Sequence, residues 1–138
     1  MKSIVVGIAD TDTSREAARQ AVEIAAAMGA TVHFVSAVES DHAVIEVGSD
    51  RFELDSMEAA RTLVDRFMKS LGSQVEYTID VVDGPPAKAL VSEAERREAD
   101  LIVVGNVRMQ GLGRVLGSVG NDVAHNAPCS VLIALQRP

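Results

Sequence analysis

Residues 100–105 are Asp100-Leu101-Ile102-Val103-Val104-Gly105, a short apolar run between an acidic residue and a glycine. A run of this length without polar alternation predicts a strand that is buried on both faces, as in a parallel sheet covered by helices. Residues 4–8, Ile4-Val5-Val6-Gly7-Ile8, have the same character near the start of the chain. We therefore expect both segments to be buried strands of an α/β sheet.

Helical patterns and further strands surround these two segments. Thr13 and Glu16 form a capping box before apolar residues at helical spacing, and Gly29 is typical of a helix end. Residues 39–54 show no clear period and predict a loop with at most a short turn of helix. The helices are predicted over residues 13–28, 55–71, 86–94 and 118–127, and the other strands over 31–38, 75–82 and 130–135.

Strands and helices alternate along the chain as βαβαβαβαβ. Such alternation predicts right-handed crossovers and an open, Rossmann-like parallel sheet with helices on both faces. Because no linker or internal repeat interrupts the pattern, residues 1–138 are expected to form a single domain. In this class of sheet, ligands bind beyond the carboxyl ends of the strands, where the strand order reverses.

Composition and charge exclude several classes of protein. The 138 residues are 47% hydrophobic and 24% charged, which is typical of a globular domain. The longest apolar runs span about six residues, too short for a membrane helix, and no export signal is evident, so we expect a cytoplasmic protein. The net charge of -7 and the absence of Trp disfavour binding to nucleic acid. Cys129 is the single cysteine, so neither an internal disulfide nor a thiolate metal site is predicted.

The segment between the fourth strand and the fourth helix is rich in glycine and basic residues. Gly105 and Gly117-Ser118 bound this segment, which contains Arg108 and Arg114. Glycines allow a ligand to approach the backbone closely, and amides at a helix start favour phosphate. The segment therefore predicts a phosphate or nucleotide site, although glycines that only shape a loop and a serine that only caps a helix explain it equally well.

Two common nucleotide motifs are absent. No G-x-x-x-x-G-K-[ST] occurs, and Ala9-Asp10-Thr11-Asp12 follows the first strand where a dinucleotide-binding domain has G-x-G-x-x-G. The whole chain instead resembles the universal stress protein family. The resemblance lies in Ile4-Val5-Val6-Gly7, Gly84-Pro85-Pro86-Ala87, Ala99-Asp100 through Gly105, Gly117-Ser118-Val119 and Ala127-Pro128-Cys129-Ser130 through Ile133.

This resemblance implies a fold like that of the adenine nucleotide alpha hydrolases, with parallel strands in the order 3-2-1-4-5. It also implies a homodimer that pairs through the last strand and, in one branch of the family, ATP between the first and fourth strands. The apolar last strand would itself leave an exposed edge, which favours pairing with a second copy. The expected dimer edge consists of Val131, Leu132, Ile133, Ala134 and Leu135.

This chain matches only part of the pattern of the nucleotide-binding branch, G-x-x-G-x9-G-[ST]: Gly105 and Gly117-Ser118 agree with it. Arg108 stands where the second glycine is expected, and eight residues separate it from Gly117. The branch has an acidic residue directly after the first strand. The residue at that position in this chain is Ala9, and an acidic residue, Asp10, follows one place later. Arg108 would either obstruct the approach of phosphate or bind it as a bidentate donor. The resemblance implies a site for ATP or AMP at Ala9, Asp10, Val38, Gly105, Arg108, Gly117, Ser118 and Val119. Asp10 and Asp12 could coordinate Mg²⁺ on that nucleotide, although acidic residues before a helix more often only complement its dipole.

Three functions are compatible with these residues. The first is a non-catalytic stress regulator that binds ATP or AMP as a homodimer and acts on an unknown protein partner. The second is a dimeric interaction module of the same fold that binds no nucleotide, which Arg108 and Ala9 motivate. The third is a slow ATPase in which Asp10 or Asp12 would hold a metal or orient water. The sequence identifies no general base for it, and no catalytic residue is predicted.

Overall fold

A computed structural model describes residues 1–38, 49–106 and 116–136, with side chains described outside residues 49–55. Across these ranges, no helix combines the length and the apolar character needed to cross a membrane. The strands and helices alternate, as the sequence predicts: β1 spans Ser3–Gly7, α1 Asp12–Met28, β2 Thr31–Val38, α2 Ser49–Leu71, β3 Tyr77–Asp83, α3 Pro86–Arg96, β4 Leu101–Asn106, α4 Ser118–Asn126 and β5 Ser130–Leu135.

These strands form a parallel sheet in the order β3-β2-β1-β4-β5, which confirms the expected topology. β1 lies at the centre, where Val6 is paired with Phe34 of β2 on one side and with Val103 of β4 on the other. The chain continues from β1 to β2 in one direction, whereas β4 and β5 lie in the other. The strand order therefore reverses between β1 and β4, and a crevice is expected beyond their carboxyl ends.

The two faces of the sheet are buried against separate apolar layers. On one face, Ile4, Val6 and Phe34 pack with residues of α1 and α2. On the other face, Val5 and Ile102 pack with residues of α3 and α4. Successive residues of a strand point to opposite faces. A strand covered on both faces therefore needs apolar residues at consecutive positions, which explains the unbroken runs in β1 and β4.

Two element boundaries were predicted wrongly. Residues 49–54, expected to be a loop, form the start of α2. The prediction required an apolar period, whereas helix formers and acidic residues near the N-terminus, such as Asp50 and Glu53, suffice to extend a helix end. β3 begins two residues later than expected, because Ser73 Oγ accepts a hydrogen bond from Val75 N–H at 3.1 Å and favours a local turn there.

A cluster of charged side chains joins α3 to the sheet. Glu93 is only 4% exposed, and its carboxylate accepts hydrogen bonds from Arg96 at 2.6 Å and from Arg97 at 3.0 Å. Arg97 also donates to Asp80 of β3 at 2.8 Å. Burial opposes the charged form of Glu93, but the hydrogen bonds from the two arginines outweigh burial and lower the pKa of Glu93.

His33 of β2 lies close to this cluster and is 5% exposed. Its Nδ1 atom is 2.7 Å from Thr78 Oγ1 on the neighbouring strand. Burial lowers the pKa of His33, and repulsion from Arg97 and Arg96 adds to that effect. Attraction from the carboxylates of the cluster acts in the opposite direction without reversing the shift. The folded protein therefore favours the neutral form of this imidazole more than the unfolded chain does.

We predict that acidification from about pH 7 to about pH 5.5 lowers the free energy of unfolding through His33. In this range the unfolded chain binds more protons at that histidine than the folded chain, in which the pKa of His33 is lowered, so stability falls as the pH falls. One proton gives a slope of at most about 1.4 kcal/mol per pH unit. Urea denaturation at several pH values measures the slope. His33→Gln should flatten it, and His125→Gln, at an exposed position of α4, should retain it; an unchanged slope in His33→Gln would contradict the prediction.

Candidate functional site

A cavity of about 280 Å³ lies at the carboxyl ends of β1 and β4, where the strand order reverses. This volume is close to the lower limit of sites that hold small molecules. The ends of three strands, the first turns of α1 and α3, and α4 all contribute to its wall. The larger apolar side chains of this wall are Ile8, Val35, Pro86, Leu90 and Val119.

The described side chains that line this cavity are all uncharged. Hydroxyl groups come from Thr11, Thr13 and Ser14, which belong to the loop after β1 and the first turn of α1. The other lining residues are apolar or glycine. A cavity of this character, with a few hydroxyl groups in an apolar wall, suits a small ligand that carries a planar ring.

Hydrogen bonds within the chain hold the loop after β1. Ser14 Oγ accepts from Ala9 N–H at 2.8 Å, and Thr11 Oγ1 accepts from Ser14 N–H at 3.1 Å. The second bond makes Thr11 the N-cap of α1. The predicted capping box of Thr13 and Glu16 was therefore wrong. Thr11 has the extended backbone that an N-cap requires, whereas Thr13 already lies within the helix.

Gly105 in β4 allows α1 to approach the sheet closely. A Cβ atom on Gly105 would lie 2.7 Å from both the backbone oxygen and the Cγ2 atom of Thr13. Non-bonded carbon atoms prefer separations of about 3.5–4.0 Å, so a side chain does not fit here. Packing between β4 and α1 thus requires this glycine, at a point where both residues line the cavity.

The N-terminus of α4 borders the cavity. α4 begins with Gly117 as its N-cap and has no side-chain capping bond, while Val119 of its first turn lines the cavity. The first amides of a helix have no partner within the helix and, together with the helix dipole, favour an anion. A Cβ on Gly117 would lie 3.3 Å from Oδ1 of Asn106, which is buried at the end of β4. A larger side chain at position 117 would therefore crowd this corner.

Five of the eight predicted nucleotide-site residues lie at or beside this cavity. Ala9, Gly105 and Val119 line it. Gly117 and Ser118 adjoin Val119 at the start of α4. The structure thus brings together the residues that follow the first and fourth strands, as the position of the switch point predicts.

The other three predicted residues have different surroundings. Val38 ends β2, and its carbonyl oxygen accepts a hydrogen bond from Gly84 N–H at 2.7 Å. Asp10 is exposed, and its carboxylate accepts from Arg15 at 2.8 Å on the protein surface. The role of Asp10 beside Mg²⁺ stays a prediction, and in the described part of the chain no group of three or more His, Cys, Asp or Glu side chains could hold a metal ion. Arg108 lies outside the described residues.

Sequence reasoning missed most of the cavity wall, since only Ala9, Gly105 and Val119 of its described lining residues were predicted. The carboxyl ends of parallel strands lie at the same edge of a sheet. The predicted site should therefore have included the residues that directly follow the first and third strands, whatever their chemical type. The hydroxyl residues after the first strand, and the prolines before the third helix, gave this signal. The missed lining residues include Thr11, Thr13, Ser14, Ala37, Pro86 and Leu90.

Comparison with known proteins identifies the family. The sequence profile of the universal stress protein family matches residues 1–134. The chain belongs to this family. The universal stress protein MJ0531 of Methanocaldococcus jannaschii is 34% identical over 96% of this chain and 81% of its own length. The universal stress protein Rv1636 of Mycobacterium tuberculosis is 32% identical over 96% of this chain and 94% of its own length.

Two solved structures, one of them of a universal stress protein, share this architecture. One that was determined in complex with cAMP has a TM-score of 0.72 and 32% identity, and the match covers 99% of this chain and 98% of that chain. The protein MJ0577 has a TM-score of 0.79 at 19% identity, with coverage of 99% and 97%. The second likeness concerns the fold alone. Together they confirm that this universal stress protein has the expected adenine nucleotide alpha hydrolase-like fold.

We predict that Gly105→Ala lowers the free energy of unfolding by about 1–3 kcal/mol, because the added methyl group forces the first turn of α1 away from β4. Gly7→Ala is the matched control, since its Cβ would meet Leu90 Cδ2 at 3.5 Å, an ordinary contact. Urea denaturation measures both variants. A Gly105→Ala protein as stable as the wild type would show that Thr13 does not pack on β4 as described.

Proposed function

We propose that this universal stress protein is a non-catalytic, homodimeric stress-response regulator that binds an adenine nucleotide in the cavity between β1 and β4. The observation that carries the proposal is the uncharged cavity at the switch point, bordered by the N-terminus of α4. In this proposal residues 1–138 form one domain, which acts in the cytoplasm on a protein partner.

The cavity offers suitable surroundings for both parts of a nucleotide. Ile8, Val35 and Leu90 provide apolar contacts for the base. The amides at the start of α4 suit a phosphate group. Arg108 and Arg114 precede that helix in the sequence and would add positive charge. The relative that was solved with cAMP supports the proposal, because it is 32% identical over nearly the whole chain.

The size and charge of the cavity favour a nucleotide with one phosphate, such as AMP, over ATP. The volume of about 280 Å³ is small for a triphosphate with its base and sugar. Burial of several phosphate charges is costly unless cations pair with them, and the described side chains of the lining carry no charge. If ATP binds, Mg²⁺ on its phosphates, with Asp10 as a ligand, and the nearby arginines in the sequence, Arg108 and Arg114, are expected to supply the positive charge.

A second candidate function is a dimeric interaction module that binds no nucleotide. The loop after β1 favours it, because Ser14 Oγ already accepts the hydrogen bond of Ala9 N–H. Ala9 also provides no acidic group toward the cavity, and Asp10 is paired with Arg15 instead. Direct measurement of nucleotide binding separates the two functions.

We expect isothermal titration calorimetry of nucleotide-free protein to show saturable binding of AMP. Gly117→Leu should abolish this signal, because its side chain crowds Asn106 and the first amides of α4. Ala26→Leu, at an exposed position near the other end of α1, is the control and should bind as the wild type does. Absence of binding up to about millimolar AMP or ATP, with and without Mg²⁺, would favour the interaction module. A dissociation constant at that limit corresponds to a binding free energy of about 4 kcal/mol.

The homodimer is proposed from the position and composition of β5. This strand lies at an edge of the sheet, with β4 as its neighbour. Its apolar side chains are half-buried at Val131, Leu132, Ile133 and Leu135 and buried at Ala134. An apolar edge strand with free backbone groups is a template for pairing with another strand. A second copy of β5 would cover this edge around a two-fold axis.

We predict that Ile133→Lys raises the dimer dissociation constant by at least about tenfold, because it places like charges near each other in the paired strands. Ser130→Lys, at the exposed start of β5, is the control and should have a weaker effect. Analytical ultracentrifugation measures both constants. Dimers that tolerate Ile133→Lys as well as Ser130→Lys would show that association uses another surface.

A further inference from the structure

A hydrogen bond joins the wall of the cavity to the end of β5. Thr13 lines the cavity, and its Oγ1 donates to Oε1 of Gln136 at 3.0 Å in partly buried surroundings. The two residues are 123 positions apart in the sequence. Gln136 directly follows Leu135, the last residue of β5. The proposed ligand site and the proposed dimer edge are therefore in direct contact.

A second connection runs from Thr13 through the sheet. The backbone oxygen and Cγ2 of Thr13 are so close to Gly105 that a Cβ there would lie 2.7 Å from each. Gly105 is in turn paired with Ala134 in the register of β4 and β5. Thr13 is thus held between the cavity, β4 and the residue after β5. A displacement of the first turn of α1 would therefore change the cavity wall and, at the same time, break the hydrogen bond to Gln136.

We propose that the bond between Thr13 and Gln136 couples nucleotide binding to association along β5, so that each favours the other. The inference rests on the proposed function, since it requires a nucleotide in the cavity and a second copy on β5. Thr13 is a positioning residue in this account, because it acts on the dimer edge through Gln136.

The coupling follows from two states of this contact. In one state Thr13 is bonded to Gln136, and both the cavity wall and the end of β5 are held in place. In the other state the bond is broken, and the cavity wall and the end of β5 move independently of each other. A nucleotide against Thr13 favours the first state, and so does a partner strand, which pairs with an extended β5. Because binding free energies are linked, the coupling free energy per protomer is the same for both effects.

One neutral hydrogen bond sets the size of the expected effect. The net contribution of such a bond to stability corresponds to a factor of about two to ten in an equilibrium constant. We therefore expect the affinity of each site for AMP to rise by about two- to tenfold between dilute monomer and concentrated dimer. Because each dimer holds two sites, saturating AMP should lower the dimer dissociation constant of the wild type by the square of that factor, about four- to hundredfold.

Sedimentation velocity with and without saturating AMP tests this coupling in the full chain. Gln136→Met, outside the cavity lining, should bind AMP and dimerise while AMP no longer shifts the dimer constant. Thr13→Val keeps the methyl group that faces Gly105 and removes the hydroxyl, so it should lose the coupling to the same extent, whatever its own affinity for AMP. Tyr77→Phe is the matched control and should retain the coupling, because it removes one side-chain hydrogen bond, to Asp65, outside the cavity lining and on the strand at the opposite edge of the sheet from β5.

The outcomes separate this inference from the proposed function. A wild-type dimer that binds AMP without any shift of its dissociation constant would overturn the inference alone. Coupling that persists in both Gln136→Met and Thr13→Val would also overturn it, since another path would then carry the effect. Absence of AMP binding or of a dimer in the wild type would overturn the proposed function, and the coupling with it.

Discussion

The candidate site depends on the close packing of α1 against β4 at Gly105. β1 is the central strand, and the helix that follows it must cross the end of β4 to cover its face of the sheet. A glycine in β4 makes that crossing possible, because a Cβ atom at position 105 would lie only 2.7 Å from Thr13. Thr13 and the loop before it are thereby placed along a cavity that the fold would otherwise leave as an open crevice.

Charged groups are kept out of the described part of this cavity. Asp10 and Asp12 pair with Arg15 on the surface, and the buried carboxylate of Glu93 is held by two arginines beside β3, away from the switch point. The lining offers hydroxyl groups, apolar side chains and the backbone of the α4 N-terminus. Such a site suits recognition of a ligand by shape and by helix amides.

Most of the fold could be predicted from the sequence, because strands buried on both faces and helices with an apolar stripe leave a strong local signal. A smaller part of the site followed as well, since Ala9 and Gly105 come directly after or within predicted strands. The predictions failed where no local period exists. The first turns of α2 have no apolar stripe, and the choice of Thr11 as N-cap depends on backbone geometry. The bond between Thr13 and Gln136 joins distant parts of the chain, and only the tertiary structure reveals such contacts.

An NMR titration of ¹⁵N-labelled protein with AMP tests the central claim most directly, because it reports on each backbone amide. The account predicts saturable shifts of the amides of Gly7, Ala9, Gly105 and Val119, which surround the cavity. Amides near Gly29, at the opposite end of α1, should not respond. A spectrum that stays unchanged with added AMP, or shifts confined to residues away from the cavity, would contradict the account.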